Sequence, residues 1–251
     1  MELIEGLEIV GNTPILYLRP YKTLILADTH IGYEEDMAEK GIFIPRFQLR
    51  RVLELLENAL NEVNVDRVVV AGDIKHRFDG LGRLERKELS ELFTYLQSRV
   101  NEIVIVRGNH DNYLPILQRK FNFSLVNEYI IDRYLIIHGH RDLKLHERGI
   151  EWDILIMGHE HPSITLRDEL GIVGKFACYL IGTLRNGKKF IVLPAVGAYQ
   201  TGSKISLSPE TYLSPIIKNE AVIDEMVPII IDEEVGTFEL PKLKYIFDLI
   251  T

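Results

Sequence analysis

The chain has 251 residues, a formal net charge of −8 and a sequence pI near 5.5. This length is enough to bury a full core, and we expect one domain over residues 1–251. The acidic balance argues against coating nucleic acid by bulk attraction, because non-specific binding needs a cationic surface. Two local clusters of basic residues are still candidates for such contacts, although solvated helix charge is the commoner explanation. They are Arg46, Arg50 and Arg51, and Lys75, Arg77, Arg83, Arg86 and Lys87.

Several classes of protein are disfavoured at once. The sequence has no run of about 18 apolar residues that could span a bilayer. Its first five residues lack the basic start and apolar stretch of a signal peptide. We therefore expect a cytoplasmic protein that does not bind a membrane. The one cysteine, Cys178, lies in an apolar segment, which favours a buried thiol over a nucleophile and leaves no partner for a disulfide within the chain.

In the first half of the chain, short apolar runs alternate with amphipathic stretches. The runs are rich in β-branched residues and predict strands, and the stretches have apolar residues at helical spacing. Pro45 predicts the start of the first long helix. Alternating strands and helices imply a largely parallel sheet whose carboxyl edge gathers ligands. The predicted strands are 23–27, 68–71 and 103–106, and the predicted helical faces run over 49–63 and 89–100.

The second half is richer in strands with brief connections. After a short predicted helix over 115–120, two of these strands end in histidines: 136–137 in His138-Gly139-His140, and 156–157 in Gly158-His159-Glu160-His161. The predicted strands are 129–131, 134–137, 154–157, 163–166, 176–181, 190–193, 227–231 and 237–240.

Five predicted strand ends carry side chains that bind metal ions. Carboxylate, amide and imidazole groups together are the ligands of first-row divalent metals. Seven such residues are more than one ion needs. Two ions about 3.5 to 4 Å apart, sharing a bridging carboxylate, would use them all, and such pairs stabilise both oxygens of a phosphoryl displacement. The seven are Asp28, His30, Asp73, Asn109, His138, His159 and His161.

The order of these motifs resembles that of the calcineurin-like metallophosphoesterases. The family's D-x-H, G-D, G-N-H-D, H and G-H-x-H motifs all occur in sequence over residues 23–162. The resemblance implies an α/β (α+β) fold of four layers, α/β/β/α, with two mixed sheets packed face to face. Residues 163–251 would then complete the second sheet.

The resemblance also implies roles for the motif residues. One metal would be held by Asp28, His30, Asp73 and His161, and the other by Asp73, Asn109, His138 and His159, with Asp73 as the bridge. A hydroxide between the ions would attack the phosphorus. His110 would be the catalytic residue that faces the phosphate without binding metal, and Asp111 would orient its ring. Manganese is the expected ion, although iron, zinc and nickel suit the same ligands.

Two further segments narrow the resemblance. Gly72-Asp73-Ile74-Lys75-His76 and Gly41-Ile42-Phe43-Ile44-Pro45 are similar to archaeal phosphoesterases related to the nuclease subunit of the double-strand-break repair complex. They are also similar to the phosphoesterases associated with DNA ligase and helicase systems. This implies cleavage of phosphodiester bonds in nucleic acid, as an endonuclease or exonuclease on single-stranded or flapped DNA. It also implies a superfamily 2 helicase as a partner. The sequence leaves the oligomeric state open.

Two other functions use the same residues. One is a phosphodiesterase or phosphatase of small molecules such as cyclic nucleotides. The other is a non-catalytic subunit that binds a helicase, which the intact His110 and the full ligand set disfavour. Because histidine binds metal only when neutral, we expect activity to fall below about pH 6.

Four residues beside the ligands are candidates for contacts with the substrate. Lys75, His76 and Arg77 follow Asp73 closely, and groups that bind ligands concentrate on such loops. His140 either orients the substrate or caps a turn. We expect His146 to be structural.

Overall fold

The computed structural model describes residues 1–4, 6–143, 149, 151–169 and 171–250. His146, expected to be structural, lies outside the described residues. In the described part of the chain, no helix is long and apolar enough to cross a membrane. Cys178 is fully buried, as its apolar surroundings predicted.

Among the described residues, the first sheet has seven strands in chain order, β1 to β7. β1 to β4 are antiparallel neighbours, and β4 to β7 are parallel. Helices α1 and α2 connect β4 to β5, and α3 connects β5 to β6. The elements are β1 Glu2–Ile4, β2 Leu7–Ile9, β3 Leu16–Leu18, β4 Thr23–Leu26, α1 Tyr33–Glu39, α2 Gln48–Glu62, β5 Arg67–Val70, α3 Arg83–Arg99, β6 Glu102–Val106 and β7 Ser124–Val126.

The second sheet, in the part of the chain that the structure describes, has nine strands. Their order is β14-β11-β12-β13-β10-β9-β8, with β15 beside β12 and β16 beside β15. Its central strands β9, β10 and β13 are parallel. The elements are β8 Tyr129–Ile131, β9 Tyr134–Ile137, β10 Ile154–Met157, β11 Pro162–Asp168, β12 Gly171–Thr183, β13 Lys189–Val192, β14 Ser203–Lys204, α4 Pro215–Glu220, β15 Val227–Asp232, β16 Gly236–Glu239 and α5 Leu243–Ile250.

The two sheets pack face to face, and helices cover their outer faces. Strand β4 shows the reason, because successive side chains point to opposite faces of a strand. Ile25 packs between the sheets, whereas Leu24 and Leu26 pack against α2 and α3. On the far side, α4 and α5 cover the second sheet through residues such as Ile216 and Ile246. The predicted four-layer α/β/β/α architecture with two mixed sheets is confirmed.

Several element boundaries differ from the prediction. Helix α2 begins at Gln48 and not at Pro45, because the Glu34 carboxylate accepts the backbone N–H groups of Phe47 and Gln48 and caps the helix there. The predicted helix over 115–120 is a 3₁₀ helix, Leu114–Arg119. Strands β1 to β3 and helix α1 were not predicted, because each is too short to show a period.

Candidate metal centre

The seven predicted metal ligands lie in the loops that follow β4, β5, β6, β9 and β10. They form two compact groups in which the ligand atoms lie within 4.8 Å of one another: Asp28, His30 and His161 in one, and Asp73, His138 and His159 in the other. The side-chain oxygen of Asn109, Oδ1, lies 3.2 Å from His138 Nε2 and so adjoins the second group. The two sheets therefore bring all seven side chains to one site.

Three atoms of the first group are buried without a hydrogen bond. They are Asp28 Oδ1, His30 Nε2 and His161 Nε2. Asp28 Oδ1 lies 3.1 Å from His161 Nε2, and the Asp28 side chain is fully buried. Burying such atoms unpaired is costly, so native proteins rarely leave them without a partner. A divalent cation satisfies one carboxylate oxygen and two imidazole nitrogens, so this donor set fits a metal ion.

The backbone is strained where it presents these ligands. Asp28, His30, Asp73, His159 and His161 have φ values of 58°, 44°, 50°, 70° and 45°, in the left-handed region that non-glycine residues rarely adopt. Such conformations cost on the order of 1 kcal/mol or more each and persist only where the surroundings impose them. The sharp turns aim side chains from different strands at one point.

Glycines allow the loops to approach closely at this site, both between the sheets and within the first sheet. A Cβ atom on Gly72 would overlap the His138 ring, and one on Gly108 would overlap the Asp73 carboxylate. Gly72 also has a φ of 91°. These positions need glycine because the ligand side chains occupy the space of a Cβ.

Burial and charge set the protonation of the ligand histidines. Burial lowers the pKa of His30 to about 3 and that of His159 to about 4, so both rings are neutral at pH 7. Burial also opposes protonation of His138, but Asp73 and Asp28 outweigh it and raise the pKa of this ring to about 9. Its Nδ1 lies 2.9 Å from the Ala71 carbonyl oxygen, and its Nε2 lies 3.2 Å from Asp73 Oδ2. Nε2 therefore faces the centre and must release its proton to bind a metal ion.

His110 lies beside the second group and is fixed at two points. Its backbone N–H donates to Asp73 Oδ1 at 2.9 Å, and its Nδ1 contacts the His76 carbonyl oxygen. A carbonyl can only accept, so Nδ1 carries a proton and Nε2 is the ring atom that exchanges one. Nε2 lies 3.9 Å from Asp73 Oδ2, and 24% of the side chain is exposed.

The expected role of Asp111 is wrong. Its carboxylate is fully buried and accepts the backbone N–H groups of Asp73 and Gly108 at 2.8 Å and of Ile74 at 3.1 Å. The imidazole of His110 instead contacts the carbonyl of His76. Asp111 therefore ties the loop after β5 to the loop after β6 and does not orient the His110 ring.

The four predicted substrate contacts have different surroundings. Lys75 is fully buried, with Nζ donating to the Arg77 carbonyl oxygen and 3.9 Å from Glu85, so its predicted contact with substrate is wrong. The Arg77 guanidinium pairs with Glu39 and Asp79 at 2.8 and 3.1 Å.

His76 and His140 both adjoin the centre. His76 Nδ1 lies 3.4 Å from His30 Nδ1. The ring of His140 lies 5.2 Å from that of His138, and its Nε2 accepts a hydrogen bond of 3.0 Å from Arg141. Burial lowers the pKa of His140 to about 3.

One supporting residue gave no signal in the sequence. Gln48 is fully buried, and its amide donates to the carbonyl oxygen of Thr29, between two ligands. Its Oε1 accepts the Ala198 N–H at 2.9 Å. Gln48 thus joins the ligand loop after β4 to the loop after β13. In the sequence it is simply a polar residue near the start of an amphipathic helix.

Aromatic side chains border the centre. Tyr33 stacks on Tyr199 with ring centroids 5.3 Å apart, and it meets His76 edge-on at 4.8 Å. Phe78 lies 5.8 Å from the His110 ring and is 58% exposed. These rings form an apolar border on one side of a polar site.

Residues 21–183 match the sequence profile of a family described as calcineurin-like phosphoesterase. A nuclease of Pseudomonas putida, MPE, has a similar structure, with a TM-score of 0.61 and 18% identity over 93% of this chain and 94% of that protein. An archaeal phosphodiesterase has a TM-score of 0.38 and 16% identity over 87% of this chain and 98% of that protein. A comparison with curated proteins gave no match.

Proposed function

Because the chain belongs to the calcineurin-like phosphoesterase family, we propose that it is a two-metal hydrolase of phosphodiester bonds in nucleic acid, acting on single-stranded or flapped DNA. The observation that carries this is the convergence of Asp28 Oδ1, His30 Nε2 and His161 Nε2, buried and without hydrogen bonds, next to the group of Asp73, His138 and His159. Two adjacent groups of this kind suit a pair of divalent ions.

The proposed ligand sets follow the two groups. Asp28, His30 and His161 would hold one ion, and His138, His159 and Asn109 the other, with Asp73 shared between them. Manganese is the ion we propose, since imidazole and oxygen ligands together suit it, as they suit iron, zinc and nickel. When bound, the ions supply a nucleophile at neutral pH and neutralise charge that develops on the phosphate oxygens.

His110 is the proposed proton donor to the leaving oxygen. Its Nδ1–H is occupied by the His76 carbonyl, so the protonated ring offers Nε2–H to an oxygen of the substrate. The neutral ring offers only a lone pair there. The form proposed to donate the proton is therefore the imidazolium.

Exposed aromatic side chains support an unpaired strand as substrate. Phe78 beside His110 is 58% exposed, and Phe43 and Phe47 on the segment before α2 are 85% and 41% exposed. The Arg50 guanidinium lies 4.7 Å from the centre of the Phe47 ring. Unpaired bases stack on aromatic side chains, which contributes about 1–3 kcal/mol per base, whereas a duplex keeps its bases stacked inside. A superfamily 2 helicase remains a proposed partner, on the resemblance of the sequence alone.

The test is manganese-dependent hydrolysis by the native protein, His110→Ala and Phe78→Ala. The substrates are bis-(p-nitrophenyl) phosphate, p-nitrophenyl phosphate, a cyclic nucleotide, and end-labelled single-stranded, flapped and duplex oligonucleotides. We expect cleavage of the diester and of the unpaired strands. His110→Ala should slow oligonucleotide cleavage by about 10² to 10⁴-fold. It should slow bis-(p-nitrophenyl) phosphate hydrolysis less, because p-nitrophenolate leaves without a proton.

Phe78→Ala serves as the matched probe of substrate class. It should weaken cleavage of single strands more than that of the small diester, because a strand has several bases to stack and the diester has only its two nitrophenyl rings. Turnover of the monoester or the cyclic nucleotide alone would replace the proposal with a small-molecule phosphodiesterase or phosphatase. Unchanged oligonucleotide cleavage in His110→Ala, with its metal content retained, would refute the role of that residue.

A further inference from the structure

The ring of His76 lies between a proposed metal ligand and a carboxylate. Its Nδ1 is 3.4 Å from Nδ1 of His30, and its Nε2 is 3.4 Å from Oδ2 of Asp36 on α1. The side chains of His76 and Asp36 are 17% and 19% exposed. Lys40 donates to the same Asp36 carboxylate, and the edge of Tyr33 packs on the His76 ring. The Asp36 carboxylate, the His76 ring and the His30 ring form a line that ends at the metal centre.

The line permits one consistent placement of protons when a cation is bound. His30 groups with Asp28 and His161, and its Nε2 is buried without a hydrogen bond while its Nδ1 faces His76, so Nε2 is the atom that must keep its lone pair for the cation. Nδ1 of His30 then carries the proton and donates it to Nδ1 of His76. His76 in turn carries its proton on Nε2 and donates to Asp36, which can only accept.

We propose that Asp36 and His76 are positioning residues that fix the orientation and tautomer of His30 and thereby strengthen metal binding at Asp28, His30 and His161. The inference rests on the proposed metal centre. Metal-binding histidines generally donate their second ring N–H to such a partner, and loss of the partner costs about 10 to 100-fold in metal affinity or activity. Here a second imidazole relays that hydrogen bond to the carboxylate.

This role differs from the phosphate contact predicted for His76. Both nitrogens of its ring already face protein groups, so neither is free for a phosphate oxygen. The same residue also accepts from His110 through its carbonyl oxygen. His76 therefore supports a ligand with its side chain and the proposed proton donor with its backbone, and only the first of these is removed by substitution of the side chain.

The primary test measures metal affinity, with no substrate present. Metal-free native protein, Asp36→Ala, Asp36→Asn and His76→Asn are titrated with manganese, and free ion is followed by electron paramagnetic resonance. We expect two ions to bind the native protein. Asp36→Ala and His76→Asn should each lower the affinity for one of these ions by about 10 to 100-fold. Asp36→Asn keeps an acceptor oxygen without the charge, so its loss of manganese affinity should be smaller.

Glu39→Gln is the matched control. Glu39 lies on the same helix, carries the same charge and pairs with Arg77, the neighbour of His76. Glu39 is not part of the line, so the manganese affinities of Glu39→Gln should equal those of the native protein. A loss as large as that of Asp36→Ala would mean that the charge of α1 acts at a distance, and would overturn the proposal.

Two further readouts separate this role from its alternatives. Nitrogen-15 spectra of the zinc-loaded protein should show His30 protonated at Nδ1 and His76 at Nε2, and the opposite tautomers would refute the line. In the activity assay, excess manganese should restore kcat of Asp36→Ala with KM unchanged.

If His76→Asn leaves both manganese affinities intact and raises KM, His76 contacts the substrate and the proposal fails. Loss of a third ion in His76→Asn would also refute it, because His30, His76 and His110 would then be ligands of their own site. A protein that cleaves no phosphodiester yet shows the predicted affinities would refute the proposed function and not this inference.

Discussion

The ligands from the two sheets are held in place by different means. Those of the first sheet are held mainly by neighbouring loops of the same sheet: the Asp28 N–H donates to the Gly72 carbonyl, the His30 N–H donates to the Asp73 carbonyl, and Asp111 accepts three N–H groups at 2.8 to 3.1 Å. The ligands of the second sheet are held by contacts with the first sheet. His138 Nδ1 contacts the Ala71 carbonyl oxygen, and the His159 N–H donates to Asp28 Oδ2.

This difference shows how the centre is assembled. The first sheet forms its half of the site through local parallel-strand loops, in which all donors and acceptors are close in the fold. The second half has its geometry only when the sheets are packed together. The metal centre therefore depends on the interface between the sheets as much as on the ligands, and variants should separate the two contributions.

The largest effect should come from breaking the contact between the sheets with Gly72→Ala. The new Cβ would overlap the His138 ring and sit on a backbone with a φ of 91°. We expect a loss of about 4 kcal/mol in the free energy of unfolding, from overpacking and backbone strain together. Gly41→Ala is the control, with a φ of 79° and no neighbouring atom within 4 Å. It should lose only about 1 kcal/mol, from strain alone. Equal losses in denaturant titrations would show that His138 does not restrict this position.

A smaller effect is expected from Asp111→Asn, which loosens the first half alone. The amide would lose the charge and set an NH₂ group against backbone donors, at a cost of about 3 kcal/mol. Hydrogen exchange should quicken in the loops after β5 and β6 and remain slow in β9 and β10. The exposed Asp79 serves as the control, since Asp79→Asn leaves this network intact. Unchanged stability of Asp111→Asn would contradict the structural role assigned to its carboxylate.

The smallest effect is the pH dependence of metal binding at the group of Asp73, His138 and His159. Without metal, the pKa of His138 is raised to about 9, so the ring is charged at pH 7 and must lose a proton to bind an ion. Affinity should therefore fall about tenfold, or 1.4 kcal/mol, for each pH unit below 9. His159, with a pKa of about 4, should add to this only near pH 4. Calorimetry in buffers of different ionisation enthalpy should detect proton release at pH 7, and the absence of release would contradict the charged state of His138.

Much of the architecture was accessible from the sequence because its signals are local. The runs before Asp28, Asp73 and Asn109 are apolar on both faces, as strands buried between two layers must be. The two helices after them are long enough to show their period. The short strands β1 to β3 are not, and the capping of α2 by Glu34 depends on a residue 14 positions away from Gln48.

By itself, the sequence determined which chemical groups stand at the strand ends, and hence the predicted donors for a metal centre. It could do so because the strand pattern and the residue types are both properties of short stretches of sequence. Only the tertiary structure decided what the neighbouring polar residues do. Lys75 and Asp111 lie on loops that look exposed in sequence, yet both are fully buried. Their partners are backbone groups, and backbone groups are the same for every residue. No side-chain pattern could therefore reveal that Asp111 binds loops together. The contacts of His76 with His30 and Asp36 were hidden for another reason, because these three side chains meet only in the folded chain.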